Sequence, residues 1–266
     1  MEITLDGEVI PSMQTTMTRI FNNGSFEEGG RFYCQLQNLK KTQRTNLRFN
    51  GEPTIEIDYS GMHPHLLYHL QGMDFEGDPY EIEGFDRSIV KVAFNTLINR
   101  DSKKHRGSPA QSLASNLELT MSEAMSLESA IYRLHKRISG YFNSGYGLKL
   151  QKIDSQMAYE VMKLFILNRN RPVLMIHDSA IVSVRDVEDL KLSMADVYPL
   201  VLEQESNILR SNKDFYPMPK GLKVTAANFN EELNNTISKA LEGIDVTNEE
   251  WTSSIDSYLY PSQPLL

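Results

Sequence analysis

The sequence predicts an α+β domain, a small antiparallel sheet backed by helices. Two observations carry the sheet. Residues 53–59 (PTIEIDY) set Ile55 and Ile57 against Glu56 and Asp58, the period-two alternation of a half-buried strand. Further on, the apolar runs VLMI and AIVSV are parted only by His177-Asp178-Ser179, which reads as a tight β-hairpin. A third observation carries the helices: apolar residues recur at helical spacing over several long stretches.

Taken in order, residues 1–28 read as an irregular or extended lead-in and 29–226 as the folded body. Gly61 and Pro64 end the first strand, and HLLYHLQ follows as a short helix. Residues 86–99 form a helix with Ile89, Val92, Ala93 and Leu97 on its apolar side. The Ser/Lys/Gly-rich segment 101–116 reads as a loop. Ala124, Leu127, Ile131, Leu134 and Ile138 then mark a long helix that lasts until Gly140. Another helix covers about 153–168, with Met157, Val161, Leu164 and Phe165 on one face. After the hairpin, residues 186–210 give a further helix kinked at Pro199. Residues 227–266 form an acidic C-terminal tail with Trp251 and a terminal Leu265-Leu266, a candidate docking segment.

Composition narrows the class. The 266 residues are 40% hydrophobic and 23% charged, ordinary for a globular chain and unlike a collagen, a coiled coil or a disordered protein. The single cysteine, Cys34, excludes a disulfide framework and a multi-cysteine zinc site, and suits a reducing cytoplasm. No run approaches the roughly 18 apolar residues of a membrane span, and MEITLDGEVIPS lacks the order of a signal peptide. The expectation is a soluble cytoplasmic protein with no membrane partner.

A net charge of −8 argues against a polyanionic ligand, but its distribution does not. Arg31, Lys40, Lys41, Arg44 and Arg48 give residues 31–48 a local +5 with no acid. Residues 100–106 and 133–137 each add a local +3. Basic segments on an acidic body form a groove that tracks a phosphate backbone, or they are simply solvated faces.

Asp58 closes an apolar strand, and Asp178 sits at the tip of an apolar hairpin. A carboxylate in such surroundings is costly unless it is paired or bound to a cation. Two of them aimed at one point from neighbouring strands suit two Mg²⁺ ions and phosphoryl transfer, with Mn²⁺ as a substitute. Taken singly, each Asp also fits a turn or cap. Arg87 and Lys91, spaced i and i+4, leave one helical face and could grip a triphosphate, or form an exposed basic edge.

These elements occur in a telling order: GGRFYCQLQNL (29–39), EIDYSGMHPHLLY (56–68), RSIVKVAFN (87–95) and IHDSAIV (176–182). Together they resemble the single-subunit polymerase superfamily, which holds the family A DNA polymerases and the phage-type RNA polymerases. The resemblance implies a polymerase-like palm with reduced fingers. It makes Asp58 and Asp178 the catalytic, metal-binding acids, and Arg87 and Lys91 the phosphate-holding cations of the fingers helix. Tyr59, His63 and Asn95 fall at nucleotide-binding positions. Arg31, Gln37, Asn38, Asp154 and His177 fall where the family meets template or primer, with Lys40, Lys41 and Arg44 as backbone contacts. The implied partners are a nucleic-acid template or primer and nucleoside triphosphates, in a bacterial or phage-infected cytoplasm.

There are departures. Asn99-Arg100 stands where the fingers helix normally carries Tyr-Gly, and Asn95 replaces an aromatic. His63 occupies the position of the Glu that excludes, or the Gly that admits, a ribose hydroxyl, so sugar preference does not carry over. Too few residues precede Gly30 for a thumb, so a protein partner or self-association is expected to supply grip on the template. Two rival readings follow. A degenerate palm would bind nucleic acid or protein without catalysis. Alternatively His65 and His69, with His63 and Asp58 nearby, would hold zinc in a hydrolase. Lys220 and Lys223 read as solvated loop charges.

Overall fold

In the computed structural model, which describes residues 2–211 and 214–227, the first strands are β1 (Ile3–Leu5) and β2 (Glu8–Val9). After α1 (Ser12–Thr15) come β3 (Thr18–Phe21) and β4 (Gly29–Tyr33), a two-stranded antiparallel pair. The expected lead-in is therefore part of the fold: β1 pairs with both β2 and a later strand, and β3 holds β4 in place. Short, half-exposed strands of this kind leave little periodicity to read.

A short helix α2 (Lys41–Arg44) precedes β5 (Leu47–Phe49) and β6 (Glu52–Tyr59). The β5–β6 turn is Asn50-Gly51, with φ of 51° and 82°, the left-handed pair that a two-residue hairpin requires. Strand β6 is followed by α3 (Met62–His69), α4 (Arg87–Asn99), α5 (Pro109–Leu117), α6 (Met121–Leu134) and α7 (Gly147–Lys163). The hairpin β7 (Leu174–Ile176) and β8 (Ser179–Ser183) comes next, then α8 (Val187–Glu205), α9 (Asn207–Ser211) and β9 (Leu222–Ala227).

The larger sheet runs β2-β1-β5-β6-β8-β7, with β9 also on β6, and every pairing is antiparallel. The α+β class is as expected. Because β8 and β9 pair with the same stretch of β6, they lie on its two opposite edges. Ile55, Ile57 and Tyr59 share one face, where the Tyr59 hydroxyl donates 2.7 Å to the Met194 carbonyl of α8. Thr54, Glu56 and Asp58 share the other. A cluster of Ile3, Leu36, Leu47, Phe49, Leu174, Ile176 and Ile181 is buried around the hairpin.

Several expected boundaries move. Helix α4 buries Val90, Ala93, Phe94, Leu97 and Ile98, whereas Val92 is exposed. The expected loop at 101–116 contains most of α5, started by a Ser108/Gln111 capping box with Pro109 in the first turn. Helix α6 stops at Leu134, and a tighter turn covers 136–141. Helix α7 begins six residues earlier than the apolar spacing suggests and gives way to a wide turn at 164–168. Strand β9 replaces the loop expected around Lys223 and reaches the first residue of the expected tail. Trp251, Leu265 and Leu266 lie outside the described residues. Among the described residues, no helix is long and apolar enough to cross a membrane.

Candidate active site

The β7–β8 turn places the first pair of groups. Ile176 pairs with Ser179, so the turn is His177-Asp178, and His177 takes the left-handed φ of 58° that so short a reversal demands. Ser179 is in turn the cross-strand partner of Asp58. Asp178 therefore sits one residue from the position facing Asp58, and the two carboxylates line one cavity of ≈ 260 Å³.

Their environment is ill-suited to two bare negative charges. Asp58 Oδ1 is buried and has no hydrogen-bond partner among the described residues. Burial, and then the charge of Asp178, push the Asp58 carboxyl up to about 7, with Lys223 and Lys91 pulling the other way. An orphaned carboxylate oxygen beside a second carboxylate is the donor set a hard divalent cation completes.

The cations come from α4. Asp86 caps the helix by accepting from the Ser88 backbone N–H, and from that start Arg87 and Lys91 project one turn apart into the same cavity. Arg87 is already held, its guanidinium on Asp78 and over the Tyr80 ring 5.3 Å away. Lys91 has no ion-pair partner among the described residues. Asn95, Asn99, Gln151, Met62 and Tyr80 complete the wall.

His63 and Arg31 enter the cavity from a different side, and both are anchored on Asp154 of α7. The Asp154 carboxylate is fully buried. It accepts from Arg31 Nε, 3.2 Å from both of its oxygens, and lies 3.1 Å from His63 Nε2. Burial alone would lower the Arg31 pKa, but the bonds and charge of Asp154 more than offset it and raise it. Gly30, next to Arg31, lets β4 pass close to β3 and α7: at φ 83°, a Cβ there would lie 2.8 Å from the Phe21 ring and 3.2 Å from the Ser155 hydroxyl. Asp154 thus lies behind the cavity wall rather than on it, and acts by positioning two side chains that do line it.

Of the residues expected from sequence, Asp58, Tyr59, His63, Arg87, Lys91, Asn95, Asp178 and Arg31 share this cavity. The ring of Tyr59, however, is buried and its hydroxyl is spent on Met194. Gln37 is a tie inside the fold, donating to the carbonyls of Phe32 (2.7 Å) and Met175 (3.3 Å). Asn38 lies at a separate groove beside Leu5 and Val9. Lys40 and Lys41 are exposed.

Arg44 is not a free backbone contact. Its guanidinium makes 2.7 and 2.9 Å bonds to Glu56, and that carboxylate also accepts 3.0 Å from the Ser179 hydroxyl. His177 packs edge-on to Tyr33, with its Nδ1 buried and without a hydrogen-bond partner among the described residues, and burial lowers its pKa.

The zinc arrangement does not assemble. His69 spends Nδ1 on the Tyr198 hydroxyl (2.9 Å) and Nε2 on Asp74 (2.8 Å). Burial, then the neighbouring His69, lower His65 to about 4. Among the described residues, no group of three or more His, Cys, Asp and Glu side chains is placed to share a metal. Three residues escaped the sequence reading: Tyr80, Gln151 and Lys223. Only Lys223 left a signal, the short Leu222/Val224 alternation around it.

No protein-family model matches the chain, and no curated protein matches it. Among solved structures, the POL domain of Pol1 from M. smegmatis, in complex with DNA primer-template and dNTP, is similar with a TM-score of 0.48 and 13% sequence identity. The match covers 78% of this chain and 46% of that one, so this chain spans less than half of that structure's length.

Proposed function

We propose that this chain is a nucleotidyltransferase that extends a nucleic-acid strand from nucleoside triphosphates. One observation carries the reading: a half-buried carboxylate pair, with one Asp58 oxygen buried and unpartnered among the described residues, and two helix-borne cations line the same cavity. A binding module has no need for Asp58 and Asp178 side by side, because in the absence of a cation their proximity only costs stability.

In this reading Asp58 and Asp178 hold Mg²⁺, or Mn²⁺ in its place. Bound there, the metal supplies Lewis-acid polarisation of phosphoryl oxygens and eases deprotonation of an attacking hydroxyl. The chain's own groups do the rest. Lys91 and Arg87 hold the triphosphate, and their charge stabilises the pyrophosphate as it departs. The hydroxyl oxygen of the growing strand bonds to the α-phosphorus, the α–β bridging bond breaks toward pyrophosphate, and the hydroxyl proton passes to water. His63 and Asn95 shape the wall beside the reacting nucleotide. Exposed Lys40 and Lys41 meet the nucleic-acid backbone.

The test is incorporation of labelled dNTPs against NTPs on primed and unprimed templates, with Mg²⁺ or Mn²⁺. Asp58→Asn and Asp178→Asn should each lower incorporation by about a thousandfold or more while the chain stays folded. Retention of most activity in both variants overturns the mechanism. Nucleic-acid binding without incorporation under any condition assigns the chain to the degenerate-palm class.

A further inference from the structure

Lys223 stands in a place that its reading as a solvated loop charge does not suggest. In β9 it is the direct cross-strand partner of Asp58, on the edge of β6 away from β8. Direct partners in an antiparallel pair project from the same face, so Lys223, Asp58 and the Asp178 turn lie in that order across the sheet. Lys223 lines the cavity with them and is exposed at its mouth.

What distinguishes Lys223 is that its charge is not taken up. Arg31 is committed to Asp154 and Arg87 to Asp78. Lys220, three residues earlier, is paired with Asp74 at 2.7 Å. Lys223 has no carboxylate within ion-pair distance among the described residues, although its charge is felt by Asp58. Lys91, on α4, is the other cavity cation in this condition. The cavity thus has two uncommitted ammonium groups reaching it from different elements, one from the helix and one from the sheet.

We propose that Lys223 is a phosphate ligand of this site, holding a phosphate oxygen from the sheet side as Lys91 does from the helix side. The inference rests on the nucleotidyltransferase reading for the identity of the phosphate. That phosphate belongs either to the incoming triphosphate or to the terminal phosphodiester of the strand being extended. An ammonium group on a flexible stem suits either, because it meets a phosphate as a point charge without demanding a fixed fork geometry. The rival role is simple charge compensation of Asp58, in which Lys223 touches no substrate.

The experiment compares the full chain with Lys223→Gln and Lys223→Arg, after thermal melts confirm that all three fold. One arm titrates inorganic pyrophosphate and a nucleoside triphosphate by calorimetry. The other titrates a fluorescent primer-template by anisotropy, without nucleotide. Lys223→Gln should weaken one arm about tenfold, and Lys223→Arg should restore most of it. Loss in the first arm names the triphosphate as the source, and loss in the second names the strand.

Changes below twofold in both arms overturn the proposal. If Mn²⁺ binding tightens at the same time, charge compensation is the role of Lys223. Absence of measurable binding of either probe to the unaltered chain also overturns it. Loss of pyrophosphate affinity in Lys223→Gln, with no incorporation by the parent on any template, sinks the polymerase reading and leaves the phosphate site standing.

Discussion

Asp58→Asn should make the metal-free protein more stable, and by an amount that depends on pH. The Asp58 carboxyl is pushed up to about 7 in the folded chain, mainly by burial and then by Asp178. The unfolded chain gives it an ordinary carboxyl pKa of about 3.9. A raised folded pKa means that the native state holds the proton more tightly. Stability is therefore full below about pH 4, falls as pH rises through 7, and levels off above. At about 1.4 kcal/mol per pH unit, the full loss is about 4 kcal/mol.

An Asn side chain is neutral throughout and escapes this loss, but it leaves a buried amide without a partner, at about 1–2 kcal/mol. The net expectation is a gain of about 2–3 kcal/mol at pH 8 and a deficit of about 1 kcal/mol at pH 4. Urea unfolding in EDTA at the two pH values measures it. Asp178→Asn removes the same repulsion from the other side, so the double variant should gain less than the sum of the singles. Adding Mg²⁺ should stabilise only the parent, closing the gap. A difference between parent and Asp58→Asn that is the same at both pH values would refute the electrostatic account of the pair.

Arg44→Met leaves the Glu56 carboxylate buried without its cation and should cost about 3–5 kcal/mol in urea melts. Pairing it with Glu56→Met should recover most of that loss, and nucleic-acid affinity should follow Lys40 and Lys41 rather than Arg44. His65 and His135 are each lowered to about 4, chiefly by burial. The unfolded state therefore takes up their protons first, so stability should fall as pH drops from 6.5 toward 4. His65→Leu should flatten roughly half of that acid limb. Asp154→Asn should release Arg31 and His63 and lower kcat/KM at least tenfold with little change in the affinity for nucleic acid alone. An unchanged kcat/KM would show that the two side chains hold their places without Asp154.

The parts of the site that were legible in the sequence share a physical reason. Asp58 ends a strand whose alternation is plain, Asp178 caps two apolar runs, and Arg87 and Lys91 are fixed relative to each other by helical spacing. In each case local geometry alone determines where the side chain points. Lys223 required β9, a six-residue strand whose pairing with β6 spans the whole fold. Helix α5 had its capping box in view, but the Ser and Lys around it mask the signal.

Arg44 and Asp154 are hard to place from sequence for a different reason. A charged side chain looks like surface until its partner is known, and partners are a tertiary property. Glu56 is twelve residues from Arg44, and Asp154 is 123 from Arg31. Two of the five cations in residues 31–48 are spent on these internal carboxylates. Lys40, Lys41 and Arg48 make no such internal ion pair among the described residues, so counting charge along the segment overstates the uncommitted charge it carries. By counterion release, losing two contacts of five removes about two fifths of the salt dependence expected from that segment. On the proposed nucleotidyltransferase reading, the cavity cations Arg87, Lys91 and Lys223 would then contribute more to how long a substrate stays than the basic stretch outside the cavity.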